Sequence, residues 1–226
     1  MKQLVQKLKL KTVDIWLCIQ IENLSIEECE AIANELKHDQ ICGLLSINSK
    51  KITSECITCI IKSLKTNTRI VNLTFANNDT ELDDHPYLST QCAHHLSELI
   101  KSTKTLTSVT LNGKYYANDE WAVVVANAMK VNQSITFLFM NDGLIGDKGA
   151  QLFGELLAVN RHLESLSLFG NRITGAGAKA LAEGLKHNTT LTYLNVGNND
   201  FSWDDEGNKA LQERRSQKLC ITFNGS

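Results

Sequence analysis

Apolar residues recur along this chain in seven ladders of similar shape. The ladders begin at Asp14, Cys42, Ile70, Leu106, Ile135, Leu163 and Leu191. By subtraction, successive ladders start 28, 28, 36, 29, 28 and 28 residues apart. In the clearest unit, Leu166 and Leu168 alternate with variable residues, which predicts a short strand with its leucines pointing inward. Over residues 174–187 an apolar stripe follows at helical spacing, formed by Ala178, Leu181, Ala182 and Leu185.

A strand and a helix of this size cannot enclose a core alone, so each unit must bury its apolar face against its neighbours. A fixed period in this range predicts a solenoid. We expect an α/β horseshoe of about seven repeats of ~28 residues, with a parallel concave sheet and helices on the convex side. In this interpretation residues 14–218 form the repeat domain and residues 1–13 an N-terminal cap. Residues 219–226 form a closing strand after a helix over residues 204–216.

The other units keep the core positions, but few keep the asparagine that follows the strand. Asn171 holds that position in the clearest unit, where its side-chain amide can satisfy backbone groups at the turn. Asparagine recurs there only at Asn78 and Asn199. The remaining units carry Glu22, Lys50, Lys114 and Gly143. We therefore expect less regular turns in those units, particularly in the N-terminal half.

The period, the alternation of strand, loop and helix, and the segment Gly175-Ala-Gly177-Ala178 at the start of an alanine-rich helix resemble the ribonuclease-inhibitor-like leucine-rich repeats. The resemblance extends over nearly the whole chain. That subfamily includes ribonuclease inhibitors, the sensor regions of nucleotide-binding immune receptors and activators of the small GTPase Ran. The resemblance implies a horseshoe fold, whereas the ligand differs among these proteins and depends on the individual surface.

Length, composition and charge agree with one globular domain. The chain has 226 residues, a formal net charge of −2 and 42% hydrophobic residues. A nearly neutral chain without a basic stripe argues against nucleic-acid binding, and no apolar run is long enough to span a bilayer. The basic amphipathic residues 1–11 favour a cap over a membrane-surface or targeting segment. Residues 77–87 predict an exposed acidic loop inserted into the third repeat.

The seven cysteines lie within the repeat pattern, which favours reduced thiols and a cytoplasmic protein. Cys56 and Cys59 have the spacing of half a zinc site, but no second pair follows, so we expect no metal. The glycines of residues 146–149 and 175–177 lack the further residues of a phosphate loop and are interpreted as turns between strand and helix. No catalytic constellation stands out, so we expect neither an enzyme nor a cofactor.

Three variable residues of each strand should line the concave face, where horseshoe proteins usually bind partners. In the first four units these residues are mostly small and polar. The last three units instead place aromatic residues on neighbouring strands, namely Phe137, Phe139, Phe169 and Tyr193. Because adjacent strands lie only about 5 Å apart, the four rings are expected to form one apolar patch, which is typical of an interaction site. The alternatives are that Phe139 and Phe169 fold onto the scaffold edge, or that the patch joins two copies of the chain.

The functional prediction depends on this patch. We expect a protein-binding module in which aromatic anchors lie among small polar residues such as Ser165 and Ser167. The candidate contacts are Phe137, Phe139, Asn141, Phe169, Tyr193, Asn195 and Trp203. The alternative is a regulator of a small GTPase, which the resemblance to Ran activators permits, although their acidic C-terminal tail has no counterpart here.

Composition bears on the origin of the chain. Lysine greatly exceeds arginine, and asparagine, isoleucine and threonine are abundant, as an AT-rich genome would encode. A small repeat protein of this kind resembles the eukaryote-like leucine-rich-repeat effectors that intracellular bacterial pathogens deliver into host cells. That resemblance implies a virulence role, a host protein as partner and the host cytosol as location. A eukaryotic cytosolic scaffold is the competing interpretation.

Overall fold

The structure is a computed structural model that describes residues 17–38, 43–77, 88–114, 116–202, 204–215 and 218–223. Its strands are β1 (Leu17–Asn23), β2 (Gly43–Lys51), β3 (Ile70–Ala76), β4 (Ser108–Asn112), β5 (Phe137–Phe139), β6 (Ser165–Ser167), β7 (Tyr193–Asn195) and β8 (Cys220–Thr222). Its helices are α1 (Ile26–Lys37), α2 (Ser54–Leu64), α3 (Thr90–Ser102), α4 (Asp119–Met129), α5 (Asp147–Val159), α6 (Gly175–Leu185) and α7 (Glu206–Gln212). The predicted cap over residues 1–13, residues 78–87 of the predicted acidic loop, and the positions Asp14, Cys42, Asn78 and Trp203 lie outside the described residues.

Strands and helices alternate along the chain, and all eight strands form one parallel sheet. The strand order follows the chain order from β1 to β8. Equivalent repeat positions pair directly, so that Leu138 pairs with Leu166, and Leu166 with Leu194. The sheet is open, which confirms the predicted α/β solenoid. Strand β8 lies within the segment where the sequence places a closing strand, whereas α7 is shorter than the predicted helix over residues 204–216.

The inward strand residues and the apolar stripes of the helices form one continuous core. Leu166 of β6, Leu168 directly after this strand, and Ala178 and Leu181 of α6 are fully buried. Each buried leucine contributes roughly 1.5 to 3 kcal/mol of hydrophobic stabilisation. Larger rings fill the core near α4, where Trp121 meets its aromatic neighbour Tyr116 edge to face with the ring centroids 5.5 Å apart. The predicted scaffold positions are therefore the positions that hold the repeats together.

Asn171 and Asn199, which the sequence places at the turn after the strand, form hydrogen bonds with the backbone of two repeats. The Nδ2 atom of Asn171 donates to the carbonyl oxygens of Met140 (2.8 Å) and Leu168 (3.0 Å). Its Oδ1 atom accepts from the backbone nitrogen of Ile145 at 3.1 Å. Asn199 repeats the arrangement one unit later, donating to the Leu168 carbonyl at 2.9 Å. Both side chains are buried, and their hydrogen bonds satisfy carbonyls that the turn removes from the ladder.

In the first two repeats, where the sequence predicts less regular turns, the strands are longer than those of the C-terminal half. Strands β1 and β2 have 7 and 9 residues, against 3 in β5, and they continue through the positions of Glu22 and Lys50. Asn77 was expected at the start of an exposed loop, but it is buried. Its Nδ2 atom donates to the carbonyl of Lys50 at 2.8 Å. The expectation for Asn77 was wrong because its amide satisfies the end of the neighbouring strand.

A second series of asparagines, three residues before four of the seven ladders, was not recognised from the sequence. In one member, the Nδ2 atom of Asn160 donates to the Met129 carbonyl at the end of α4 at 2.7 Å. Its Oδ1 atom accepts from the backbone nitrogens of His162 (2.8 Å) and Leu163 (2.7 Å). Three further asparagines form the equivalent bond, in which the Nδ2 atom donates to the carbonyl of a helical residue in the preceding repeat. They are Asn67, Asn132 and Asn188. These side chains cap helix C-termini across the repeat boundary.

The glycines interpreted as turns between strand and helix lie mostly inside helices. Gly149 is in the first turn of α5, and Gly175 and Gly177 are in the first turn of α6. The Oδ1 atom of Asp147 accepts from the backbone nitrogen of Gly177 at 2.9 Å, and a Cβ atom at Gly177 would lie 2.5 Å from that oxygen. A larger residue would crowd this aspartate of the preceding repeat, which caps the helix, so the position favours glycine.

Candidate partner-binding surface

The helices cover one face of the sheet, and we call the uncovered side the open face. Side chains alternate along a strand, so the burial of Leu166 and Leu168 in the core directs Ser165, Ser167 and Phe169 to the open face. The strand register aligns such residues in three rows across the sheet. The first row holds Leu44, Asn72, Ser108, Phe137, Ser165, Tyr193 and Cys220; the second holds Cys18, Ser46, Thr74, Thr110, Phe139, Ser167, Asn195 and Thr222; the third holds Gln20, Asn48, Ala76, Asn112, Asn141, Phe169 and Gly197.

Two phenylalanines of β5 form an aromatic pair on the open face. The ring centroids of Phe137 and Phe139 lie 6.4 Å apart, with the ring planes tilted by 45°. Phe137 is 41% exposed, and Phe139 is half-buried. The structure thus brings two of the predicted site residues into contact and leaves apolar surface of Phe137 in water.

The two serines of β6 are buried, although both were expected as exposed polar neighbours of the aromatic residues. Ser165 pairs with Phe137 on one side and Tyr193 on the other. Ser167 lies in the same way between Phe139 and Asn195. Small side chains between larger ones on both adjacent strands lose contact with water. The serines therefore form the floor of the surface, and their larger neighbours form the part that a partner can touch.

Phe169 lies two residues beyond the end of β6 and is 38% exposed. Its ring rests beside Gly197 of the next repeat, because a Cβ atom at Gly197 would lie only 3.2 Å from the ring. Phe169 therefore does not stack on Phe137 or Phe139, and Tyr193 lies two strands away from Phe137. Among the described residues, the aromatic positions of this face form a contacting pair with two flanking rings. We use the name aromatic patch for Phe137, Phe139, Phe169 and Tyr193.

Three amide side chains border the aromatic patch in a common arrangement. The Oδ1 atom of Asn141 accepts from the Ser167 hydroxyl at 2.7 Å and from the backbone nitrogen of Phe169 at 3.1 Å. The Oδ1 atom of Asn195 accepts from the backbone nitrogen of Gly197 at 3.0 Å, and that of Asn112 from the backbone nitrogen of Asn141 at 3.3 Å. Backbone donors fix the orientation of each amide. The Nδ2 groups then point away from these bonds and form no hydrogen bonds with the described residues.

The open face carries no charge among the described residues of its three rows. Charged residues make up 21% of the chain, and those that border the three rows include Glu164 before the first row and Lys50 and Asp142 beyond the third. Asp142 follows Asn141 with a φ of 55°, and burial raises the pKa of its carboxyl. The surface presented to a partner is therefore aromatic and amide in character.

Other candidate sites do not assemble in the described part of the chain. Cys59 is half-buried on α2, and burial raises the pKa of its thiol. The pKa of the Cys29 thiol is raised as well, mainly because this thiol is hydrogen-bonded to Cys56. A cavity of about 200 Å³ near the start of α4 includes Asp119, but that carboxylate already accepts from the backbone nitrogens of Gly146 and Gly149. No group of three metal-ligating side chains and no helix fit to cross a membrane occurs among the residues described.

Comparison with known proteins agrees with this architecture. A family model described as Leucine Rich repeat matches residues 159–182 and 187–211. The mouse NACHT, LRR and PYD domains-containing protein 4E is 28% identical over 167 residues, which are 73% of this chain and 16% of that protein. Human leiomodin-2 is 28% identical over 142 residues, which are 61% of this chain and 26% of that protein. The chain thus corresponds to a minor part of these relatives.

A solved structure supports the fold independently. The C-terminal domain of tropomodulin from Caenorhabditis elegans superposes with a TM-score of 0.52 at 18% identity, covering 70% of this chain and 93% of that chain. At this identity the match concerns the path of the backbone. The side chains of the open face must be interpreted from this sequence alone.

Proposed function

Since the chain belongs to the leucine-rich repeat family, we propose that it is a non-enzymatic module that binds a partner protein on the open face of its sheet. Proteins of this family generally act as binding scaffolds. The proposal assigns the contact to the aromatic patch together with Asn141 and Asn195.

One observation carries the proposal: two phenylalanine side chains are exposed on the sheet face that the helices of the described residues leave uncovered. Phe137 is 41% and Phe169 38% exposed. Phenylalanine has no polar group to interact with water, and burying the exposed part of each ring releases roughly 25 cal/mol per Å². The rings are surrounded by the buried serines and by the half-buried Asn141 and Asn195. These neighbours are uncharged and leave little room for water. This arrangement is typical of an interface hot spot.

The chain also offers matched controls away from the open face. Val131 follows α4 and Val159 ends α5, and they are 62% and 56% exposed. Neither lies on a strand. Replacing these valines removes exposed apolar surface without altering the aromatic patch. The control therefore distinguishes binding at a specific site from non-specific hydrophobic binding.

The experiment is affinity capture from a eukaryotic cell extract with three forms of the chain. The wild type is compared with a Phe137→Ser, Phe169→Ser variant and with a Val131→Ser, Val159→Ser control, after circular dichroism shows that all three fold. The proposal expects proteins that the wild type and the valine control retain and that the phenylalanine variant loses. Capture that is unchanged by the phenylalanine substitutions would contradict it.

A further inference from the structure

We infer that the open face accepts an uncharged, extended polypeptide segment whose backbone carbonyl oxygens take hydrogen bonds from Asn112, Asn141 and Asn195. This inference rests on the proposed function and specifies the chemistry of the partner. It follows from which atoms of the face remain available for bonding and from where charge is absent.

The three amide side chains that border the patch have donor groups available for a partner. Each of the three asparagines uses its Oδ1 atom for a backbone nitrogen, at 3.3 Å for Asn112, 3.1 Å for Asn141 and 3.0 Å for Asn195. Their Nδ2 groups bond to none of the described residues. All three side chains are half-buried, so covering the face without supplying acceptors would leave donors unsatisfied. A partner must therefore bring acceptor oxygens to these positions.

The absence of charge selects uncharged acceptors. The described residues of the three rows include no lysine, arginine, aspartate or glutamate. A partner carboxylate or ammonium placed over the rows would lose its water without gaining an opposite charge, which is unfavourable. Backbone carbonyl oxygens carry no net charge, and the Nδ2 donors of the asparagines replace the hydrogen bonds that these oxygens lose to water. Phe137 and Phe169 provide apolar contacts for side chains on the same segment.

The positions of the asparagines favour an extended segment over a helix. A helix uses most of its carbonyl oxygens internally and exposes them only at its C-terminus. An extended or irregular segment offers a free carbonyl at nearly every residue. Asn112 is on β4 and Asn195 on β7, so the three donors span three strand spacings, about 15 Å. About five extended residues reach that far across the strands.

The test uses unstructured random peptides selected by display for binding to the whole chain. The inference expects selected peptides with fewer charged residues than the starting library and affinities that change little with salt. Binding should fall about tenfold or more in Asn141→Asp and Asn195→Asp variants, because aspartate keeps the acceptor atom, removes the donor and places a negative charge against the carbonyl oxygens of the peptide. Failure to select any peptide that binds would overturn the inference.

Charge substitutions of both signs make the test specific. Thr110 is half-buried and pairs with Phe139 in the second row. Thr110→Lys and Thr110→Glu should each weaken a selected peptide, whereas Val131→Lys and Val131→Glu should not. Opposite effects of the two signs at Thr110, or unchanged affinity in the aspartate variants, would overturn the inference.

The outcomes separate this inference from the proposed function. Peptides that depend on Phe137 and Phe169 but carry a charged motif would refute the uncharged segment and retain binding at the aromatic patch. Peptides that bind equally well to the Phe137→Ser, Phe169→Ser variant would refute both. Binding of the wild type, but not of that variant, to vesicles of neutral phosphatidylcholine would also overturn the inference, since it would identify a lipid surface as the occupant.

Discussion

Gly184 of α6 packs directly on the backbone of Gly154 in α5. A Cβ atom at Gly184 would lie 2.0 Å from the carbonyl oxygen of Gly154. Alanine normally favours a helix over glycine by up to about 1 kcal/mol. Here the clash is with backbone, which cannot move aside without separating the two helices. We therefore expect Gly184→Ala to reduce the free energy of unfolding by about 1 to 3 kcal/mol.

Urea unfolding followed by circular dichroism measures this effect. Lys179→Ala on the exposed side of the same helix is the control and should change stability by less than about 0.5 kcal/mol. A Gly184→Ala chain as stable as the wild type would show that the helices are not held this closely.

The asparagines that cap helix ends across repeats should contribute more to the free energy of unfolding than exposed polar residues nearby. Asn160→Ala leaves the carbonyl of Met129 and the backbone nitrogens of His162 and Leu163 without their side-chain partner. Each buried unsatisfied group costs about 1 to 3 kcal/mol, so a total loss of about 2 kcal/mol or more is expected. Denaturant unfolding beside the exposed control Gln133→Ala tests this, and equal stability of the two variants would refute it.

Asp142 should make stability depend on pH. Burial raises the pKa of its carboxyl, so its contribution is favourable at low pH and is lost as the pH rises through the folded-state pKa. Asn tolerates the left-handed conformation at this position. Asp142→Asn should therefore be more stable than the wild type near pH 7, and the difference should disappear near pH 3, below the ordinary carboxyl pKa. Unfolding free energies at both pH values check this, and a difference that is the same at both would contradict it.

The exposed and buried phenylalanines should respond differently to the same substitution. Phe153 is fully buried in α5, so Phe153→Ser should lower the free energy of unfolding by about 3 to 5 kcal/mol. Phe137→Ser removes a ring that is 41% exposed, and we expect a change within about 1 kcal/mol. Thermal unfolding compares the two. A large loss in Phe137→Ser would assign that ring to the scaffold.

The repeat and its strand register could be predicted from sequence because they follow from spacing within one unit. Leu166 and Leu168 alternate as a strand requires, and both are buried in the sheet. The direction of the variable residues follows from the same alternation, and Phe137 and Phe169 are both exposed. Local periodicity was sufficient for these assignments.

Features that depend on neighbouring repeats were predicted less well. Ser165 and Ser167 are buried because of the residues beside them on β5 and β7, which a single repeat does not reveal. Asn77 is buried because it bonds to the previous strand end. The helix-capping asparagines were missed although Asn132, Asn160 and Asn188 each stand three residues before a ladder, a regularity that was available in the sequence.

Site-specific photo-crosslinking tests the central claim most directly. A photoreactive phenylalanine analogue is placed at position 137 in one chain and at position 131 in another, so that both reporters are exposed and only the first lies on the open face. After irradiation in a eukaryotic cell extract, we predict discrete crosslinked protein from position 137 and none from position 131. Crosslinks from position 131 without any from position 137 would contradict binding at the aromatic patch.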